Sequence, residues 1–141
     1  MGDFKLKIMS KYIIASIGRK NRSVNHMILN FMIKINSLTR YKVLLVVHGT
    51  MDSNLHSLCK KEKIIVRNWP SKRPVFLKDF FFFARLVLKY KPYCVVASLR
   101  PTNLMIIASY LLNVNKRVIW IRSGLKSINN EKGKDVVTTL F

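Results

Sequence analysis

The sequence predicts an α/β fold: a Rossmann-like open parallel sheet of about five strands with helices on both faces, in the strand order 3-2-1-4-5. Three observations predict it. Short runs such as YKVLLVV (41–47) and YCVVASL (93–99) are apolar nearly throughout rather than alternating, so both of their faces are expected to be covered, as in parallel sheets. Segments of helical period separate these runs. Strand and helix then alternate five and four times along 141 residues, enough for one domain with a core of its own.

The elements follow in order. KYIIASI (11–17) is a buried strand closed by Gly18. Ser23 suits a helix N-cap, and Val24, Met27, Ile28, Phe31, Met32 and Ile35 repeat at i, i+3, i+4 spacing as one helical face. The second strand, 41–47, ends at His48-Gly49-Thr50, and Asp52 or Ser53 can cap a short helix through Lys61. KIIVR (63–67) is the third strand and 69–74 a loop. A helix over 75–90 stops at Lys91-Pro92, because residues before proline leave the helical region. The fourth strand is 93–99, Pro101 opens a helix to about Leu112, and KRVIWI (116–121) is the fifth strand. Residues 1–125 are expected to form the Rossmann-like unit, and 126–141 a tail that frays or begins a further element.

Charge is lopsided, with 26 Lys+Arg against 6 Asp+Glu for a formal net charge of +20. Such a surface attracts phosphates, whether of nucleic acid, anionic lipid or a nucleotide ligand. Cys59 and Cys94 form no CxxC, so neither a disulfide framework nor a zinc site is expected, and a reduced, cytoplasmic setting fits. No run approaches the roughly 18 apolar residues of a spanning helix, and the N-terminus lacks a signal-peptide core.

Ligands of such a sheet bind beyond the carboxyl ends of the strands, near the point where strand order reverses. The corners there carry Gly18 and Arg22, then His48, then Ser98, Arg100 and Asn103, then Arg122, Ser123 and Gly124. Guanidinium groups beside helix N-termini suit anions. Gly18-Arg19-Lys20-Asn21-Arg22 lacks GxGxxG spacing and there is no GxxxxGK[ST], so nicotinamide, flavin and P-loop chemistry are disfavoured. No carboxylate pair, GxSxG elbow or metal cluster points to a hydrolase. His26 reads as surface; His48, at the crevice rim, is the candidate catalytic base. On the 75–90 helix, Lys78, Phe82, Arg85 and Lys89 fall within roughly 60° of one another. A basic stripe with an aromatic in it suits an anionic membrane surface.

Three stretches carry a family resemblance: IGRKNRSVNHMILNFMIKINSLTRYKVLLVVHG (17–49), LVLKYKPYCVVASLRPTNLMIIASYLLNVNKRVIWIRSG (86–124) and, between them in the place of the third strand, KIIVRNWPSKRPVFLKDF (63–80). The first two resemble, respectively, the first loop, first helix and second strand, and the helix, Lys-Pro, strand, polar corner, helix, strand and final glycine turn, of the N-terminal, acceptor-side domain of GT-B glycosyltransferases of family four. Departures are visible. The first loop has Gly18 and Arg22 but no consecutive glycines, Tyr93 follows Lys-Pro where Asp is usual, and Arg122-Ser123-Gly124 replaces a His-Gly ending.

The resemblance implies transfer of a sugar from a nucleotide-sugar donor to a lipid-linked or cell-surface glycan acceptor, as in polysaccharide biosynthesis. Gly18 and Arg22 would border the sugar and phosphates, and Ser98, Arg100, Asn103, Arg122 and Gly124 the acceptor. It implies no metal and no cofactor beyond the donor substrate. It also implies that a second, donor-gripping domain or subunit is needed, so this chain alone corresponds to a truncated or split half, inactive alone. The implied location is cytoplasmic, peripheral at the inner face of the cell membrane. A basic α/β nucleic-acid-binding module or a non-catalytic interaction subunit are the alternative readings, nucleic acid ranking below the membrane as a partner.

Overall fold

The computed structural model of the protein describes residues 11–18, 23–49, 51, 53–70, 76–98, 102–120 and 139–140. Strands β1 (Tyr12–Ile17), β2 (Lys42–Val47), β3 (Ile65–Asn68), β4 (Cys94–Ser98), β5 (Lys116–Trp120) and β6 (Thr139–Leu140) alternate with helices α1 (Ser23–Leu38), α2 (Ser53–Lys61), α3 (Phe76–Tyr90) and α4 (Thr102–Leu111) up to β5. The sheet order is β3-β2-β1-β4-β5-β6. The first five strands are parallel, as the doubly apolar runs require, with Tyr12 opposite Lys42 and Cys94 opposite Lys116. β6 adds a short antiparallel strand, Leu140 opposite Arg117, from within the segment expected to be a tail.

Successive strand residues point to opposite faces, and the core divides accordingly. Ile13, Ala15, Ile17, Val43, Leu45 and Val47 meet Ile28, Leu29 and Met32 of α1 and Cys59 of α2. Ile14, Leu44, Val46, Val95 and Ala97 meet Phe83, Leu86 and Val87 of α3 and Leu104, Met105 and Ala108 of α4. Phe83 and Met105 are fully buried anchors of that second layer. Both cysteines are free thiols, and burial pushes each above its ordinary pKa, with Lys116 partly offsetting this for Cys94.

The buried face of α1 differs from the one its periodicity suggests. Met27 and Phe31 are 41% and 46% exposed, while Asn25, Ile28, Leu29 and Met32 are inside. The cause is polar. Asn25 Oδ1 accepts from Gly18 N at 3.0 Å and Asn25 Nδ2 donates to Gly18 O at 3.1 Å. Eleven residues on, and thus on the same face, Asn36 Nδ2 donates to Glu62 O at 2.8 Å. These bonds pin the helix at both ends and turn it slightly from the purely apolar choice.

Candidate functional site

The carboxyl ends of β2, β1 and β4 lie side by side and bring Gly18, His48 and Ser98 to one edge. His48 N donates to Ile17 O at 3.1 Å, extending the β1–β2 pairing by one residue. Gly49 then turns with φ 85°, a left-handed value that glycine adopts at least cost. Trp69 N donates to Val47 O at 2.8 Å, which sets the indole against the His48 imidazole with centroids 4.6 Å apart. Trp69 also meets Phe82 edge-on at 5.5 Å and Phe83 at 6.4 Å.

His48 is half-buried, and desolvation holds its pKa below the usual 6.5, a depression the nearby Asp79 carboxylate partly offsets. Its Nε2 is shielded and has no hydrogen-bond partner among the described residues. Neutral imidazole is therefore the resting form at ordinary pH. Asp79, 2% exposed in the first turn of α3, was not singled out in the sequence, where it reads as one more polar residue in a helix start.

Ser98 requires a correction. It stands at the expected end of β4 but is 1% exposed, and its hydroxyl donates to Ser16 O at 2.6 Å while its N–H donates to Ser16 Oγ at 2.8 Å. It ties β4 to β1 beneath the rim and does not face a ligand. The signal was legible: Ser16 and Ser98 are polar residues near the ends of doubly covered apolar strands, where a buried hydroxyl must pair. Asn103 is exposed in the first turn of α4, after the same edge. Arg22, Arg100, Arg122, Ser123 and Gly124 lie outside the described residues.

The expected membrane stripe also changes. Lys78, Arg85 and Lys89 are exposed, but Phe82 is half-buried against Trp69. Phe81 is 65% exposed, beside Leu77 at 66% and Leu88 at 61%. At 100° per residue these three fall within about 40° of one another, with the basic residues along one border. On the adjoining α4, Ile107, Tyr110 and Leu111 are exposed as well. Among the described residues no helix is long and apolar enough to cross a membrane, and no group of three or more His, Cys, Asp or Glu side chains could hold a metal ion.

No protein-family model matches the chain, and no curated protein does. Solved structures do. A glycosyltransferase from Rickettsia africae ESF-5 superposes with a TM-score of 0.62 at 14% identity, covering 86% of this chain and 33% of that one. MurG of Acinetobacter baumannii superposes at 0.60 with 13% identity, covering 83% of this chain and 38% of that one. The chain thus spans 33% and 38% of the lengths of these two proteins. In fold, the chain is an α/β domain with a five-strand parallel sheet that matches the Rossmann-like half of a GT-B glycosyltransferase.

Proposed function

We propose that the protein is the acceptor-side half of a glycosyl-transfer enzyme that works at an anionic membrane surface on a lipid-linked or cell-surface glycan acceptor. The observation that carries this reading is the edge where β2, β1 and β4 end: a glycine corner held by Asn25, a neutral His48 and the start of α4 converge at the place where open parallel sheets take ligands. With a turn of its half-buried ring that brings the shielded Nε2 to the rim, His48 accepts the proton of the acceptor hydroxyl. The freed oxygen bonds to the anomeric carbon as the bond from that carbon to the donor's phosphate oxygen breaks, and the nucleoside diphosphate leaves with the electron pair. Gly18 and Arg22 border the donor's sugar and phosphates, and Arg100, Asn103, Arg122, Ser123 and Gly124 line the acceptor side. The donor is gripped by a second domain or subunit, and no cofactor or metal takes part.

The exposed stripe of Leu77, Phe81 and Leu88, bordered by Lys78, Arg85 and Lys89, supports peripheral docking to the inner face of the cell membrane. Its fit is to an anionic bilayer, because two copies of a chain carrying +20 repel one another. Reading the coding DNA beyond Phe141, and in neighbouring genes, for a donor-binding domain tests the reading at its root. Transfer from labelled nucleotide sugars to extracted membrane lipid, with both halves present, should fail in His48→Gln. Transfer that survives in His48→Gln removes His48 as the base.

A further inference from the structure

The opposite edge of the sheet, where the strands begin, carries a row of lysine and tyrosine. The entries read Tyr41-Lys42 for β2, Lys11-Tyr12 for β1, Tyr90-Lys91-Pro92-Tyr93 for β4 and Lys116 for β5. The main chain links them across the edge: Lys42 N donates to Lys11 O at 2.9 Å, Tyr93 N to Tyr12 O at 2.8 Å and Lys116 N to Tyr93 O at 3.0 Å. With neighbouring strands about 4.8 Å apart, the row runs roughly 15 Å across four strands. The rings interleave with the charges. Tyr41 stacks on Tyr93 at 5.4 Å, Tyr12 meets Tyr90 edge-on at 5.1 Å, and Lys11 Nζ lies 5.4 Å from the Tyr93 centroid. Beside them is an open recess of about 440 Å³ lined by Lys11, Lys91, Tyr93, Asn113 and Asn115 among others.

Cations at helix carboxyl ends, such as Lys60, Lys61 and Lys89, complement the helix dipole and need no ligand to explain them. That account does not reach Lys11, Lys42 or Lys116, which open strands, where net dipoles are small. Lys91, by contrast, follows the carboxyl end of α3, and its φ of 45° is a helix-ending conformation that glycine adopts at lower cost. Of the acidic residues described, only Glu62 belongs to this edge; Asp79 is in the first turn of α3, toward the other.

We propose that this edge binds single-stranded nucleic acid, with phosphates along the lysine row and bases against the tyrosines and the recess. A narrow basic track with aromatic rings along it is the arrangement that holds single strands with little sequence preference. A bilayer fits less well, because Phe76, Leu77 and Phe81 stand in the first half of α3, toward the other edge, and the exposed aliphatic side chains here, such as Leu38 at the end of α1 and Leu88 in the recess wall, lie among the lysines and tyrosines and form no apolar stripe. The site is at the far end of the strands from the transferase crevice and stands or falls separately from it.

The test is fluorescence anisotropy of the whole chain with short labelled oligothymidylate, in parallel with inorganic polyphosphate and a sulfated glycan. Four phosphate contacts give a slope of about −3 for log affinity against log salt. Lys11→Glu with Lys42→Glu should weaken oligothymidylate roughly 10-fold more than Lys78→Glu with Arg85→Glu, which changes the same charge on the α3 face. Tyr41→Leu with Tyr93→Leu should weaken oligothymidylate roughly 10-fold and leave polyphosphate unchanged, because only bases stack. Melting curves report whether each variant folds, and the exposed lysine pair decides the matter if the tyrosine pair does not. Equal weakening by both charge pairs, or tighter, tyrosine-dependent binding of the glycan, would overturn the proposal.

Discussion

The two edges of the sheet treat their polar groups in opposite ways. Where the strands end, side chains are turned inward on the chain itself: Ser16 with Ser98, Asn25 with Gly18, His48 with Trp69. Where the strands begin, Lys11, Lys42, Lys91 and Lys116 stand exposed. The first arrangement fixes backbone, which is what a crevice needs if loops are to be held in position above it. The second keeps charge at the surface, with Lys11 over the Tyr93 ring. A residue's chemistry thus predicts its role only when its position along the strand is known.

That contrast predicts a gradient of effects on stability. Ser16→Ala should have the largest, about 2–3 kcal/mol by urea unfolding, because it leaves the buried Ser98 N–H and the Ser98 carbonyl without their partner hydroxyl. Asn25→Ala should follow at about 1–2 kcal/mol, losing both bonds to Gly18 at a part-buried site. Lys91→Gly at the other edge should go the opposite way, gaining about 0.5–1 kcal/mol by relieving a positive φ, while weakening polyanion binding. Lys11→Glu with Lys42→Glu should change stability by less than about 0.5 kcal/mol, as exposed substitutions do. If the strand-start variants unfold the protein as readily as Ser16→Ala, the distinction between the edges fails.

The pH dependence sharpens the same contrast. His48 has a folded pKa below its usual 6.5, so the unfolded chain binds the proton first as pH falls. Its contribution to stability is complete above 6.5 and is lost as pH drops below that value toward the folded pKa. Unfolding free energy measured across that range should fall with acid, and His48→Gln should flatten the slope. An unchanged slope would mean that His48 is not the buried neutral group it is taken to be.

The strand order and the element sequence were legible because runs covered on both faces must be apolar throughout, and such runs are hard to mistake. The facing of the helices was harder. In α1, two sets satisfy helical spacing: Val24, Met27, Ile28, Phe31, Met32 and Ile35, or Asn25, Ile28, Leu29, Met32 and Asn36. Apolarity favours the first, but the buried asparagines are bonded to main chain outside the helix, and periodicity cannot see those partners. In α3 the consecutive Phe80-Phe81-Phe82-Phe83 defeats periodicity altogether, since every direction carries a ring, and only Trp69 shows which way Phe82 turns. At the Ser98 corner the residue types alone suggest a ligand contact, and the pairing with Ser16, 82 residues away, follows only when both are placed near the ends of adjacent covered strands. The two-residue β6 is too short to leave a pattern.

The crevice proposal meets its most direct test in backbone amide shift mapping, titrating the protein with a water-soluble, short-chain polyprenyl diphosphate-sugar. The account predicts that the amides of Gly18, His48 and Asn103 move together while those of Lys11, Lys42, Asn113 and Lys116 stay still. Movement confined to the lysine edge, or no movement at Gly18 and His48 at saturating ligand, would contradict it.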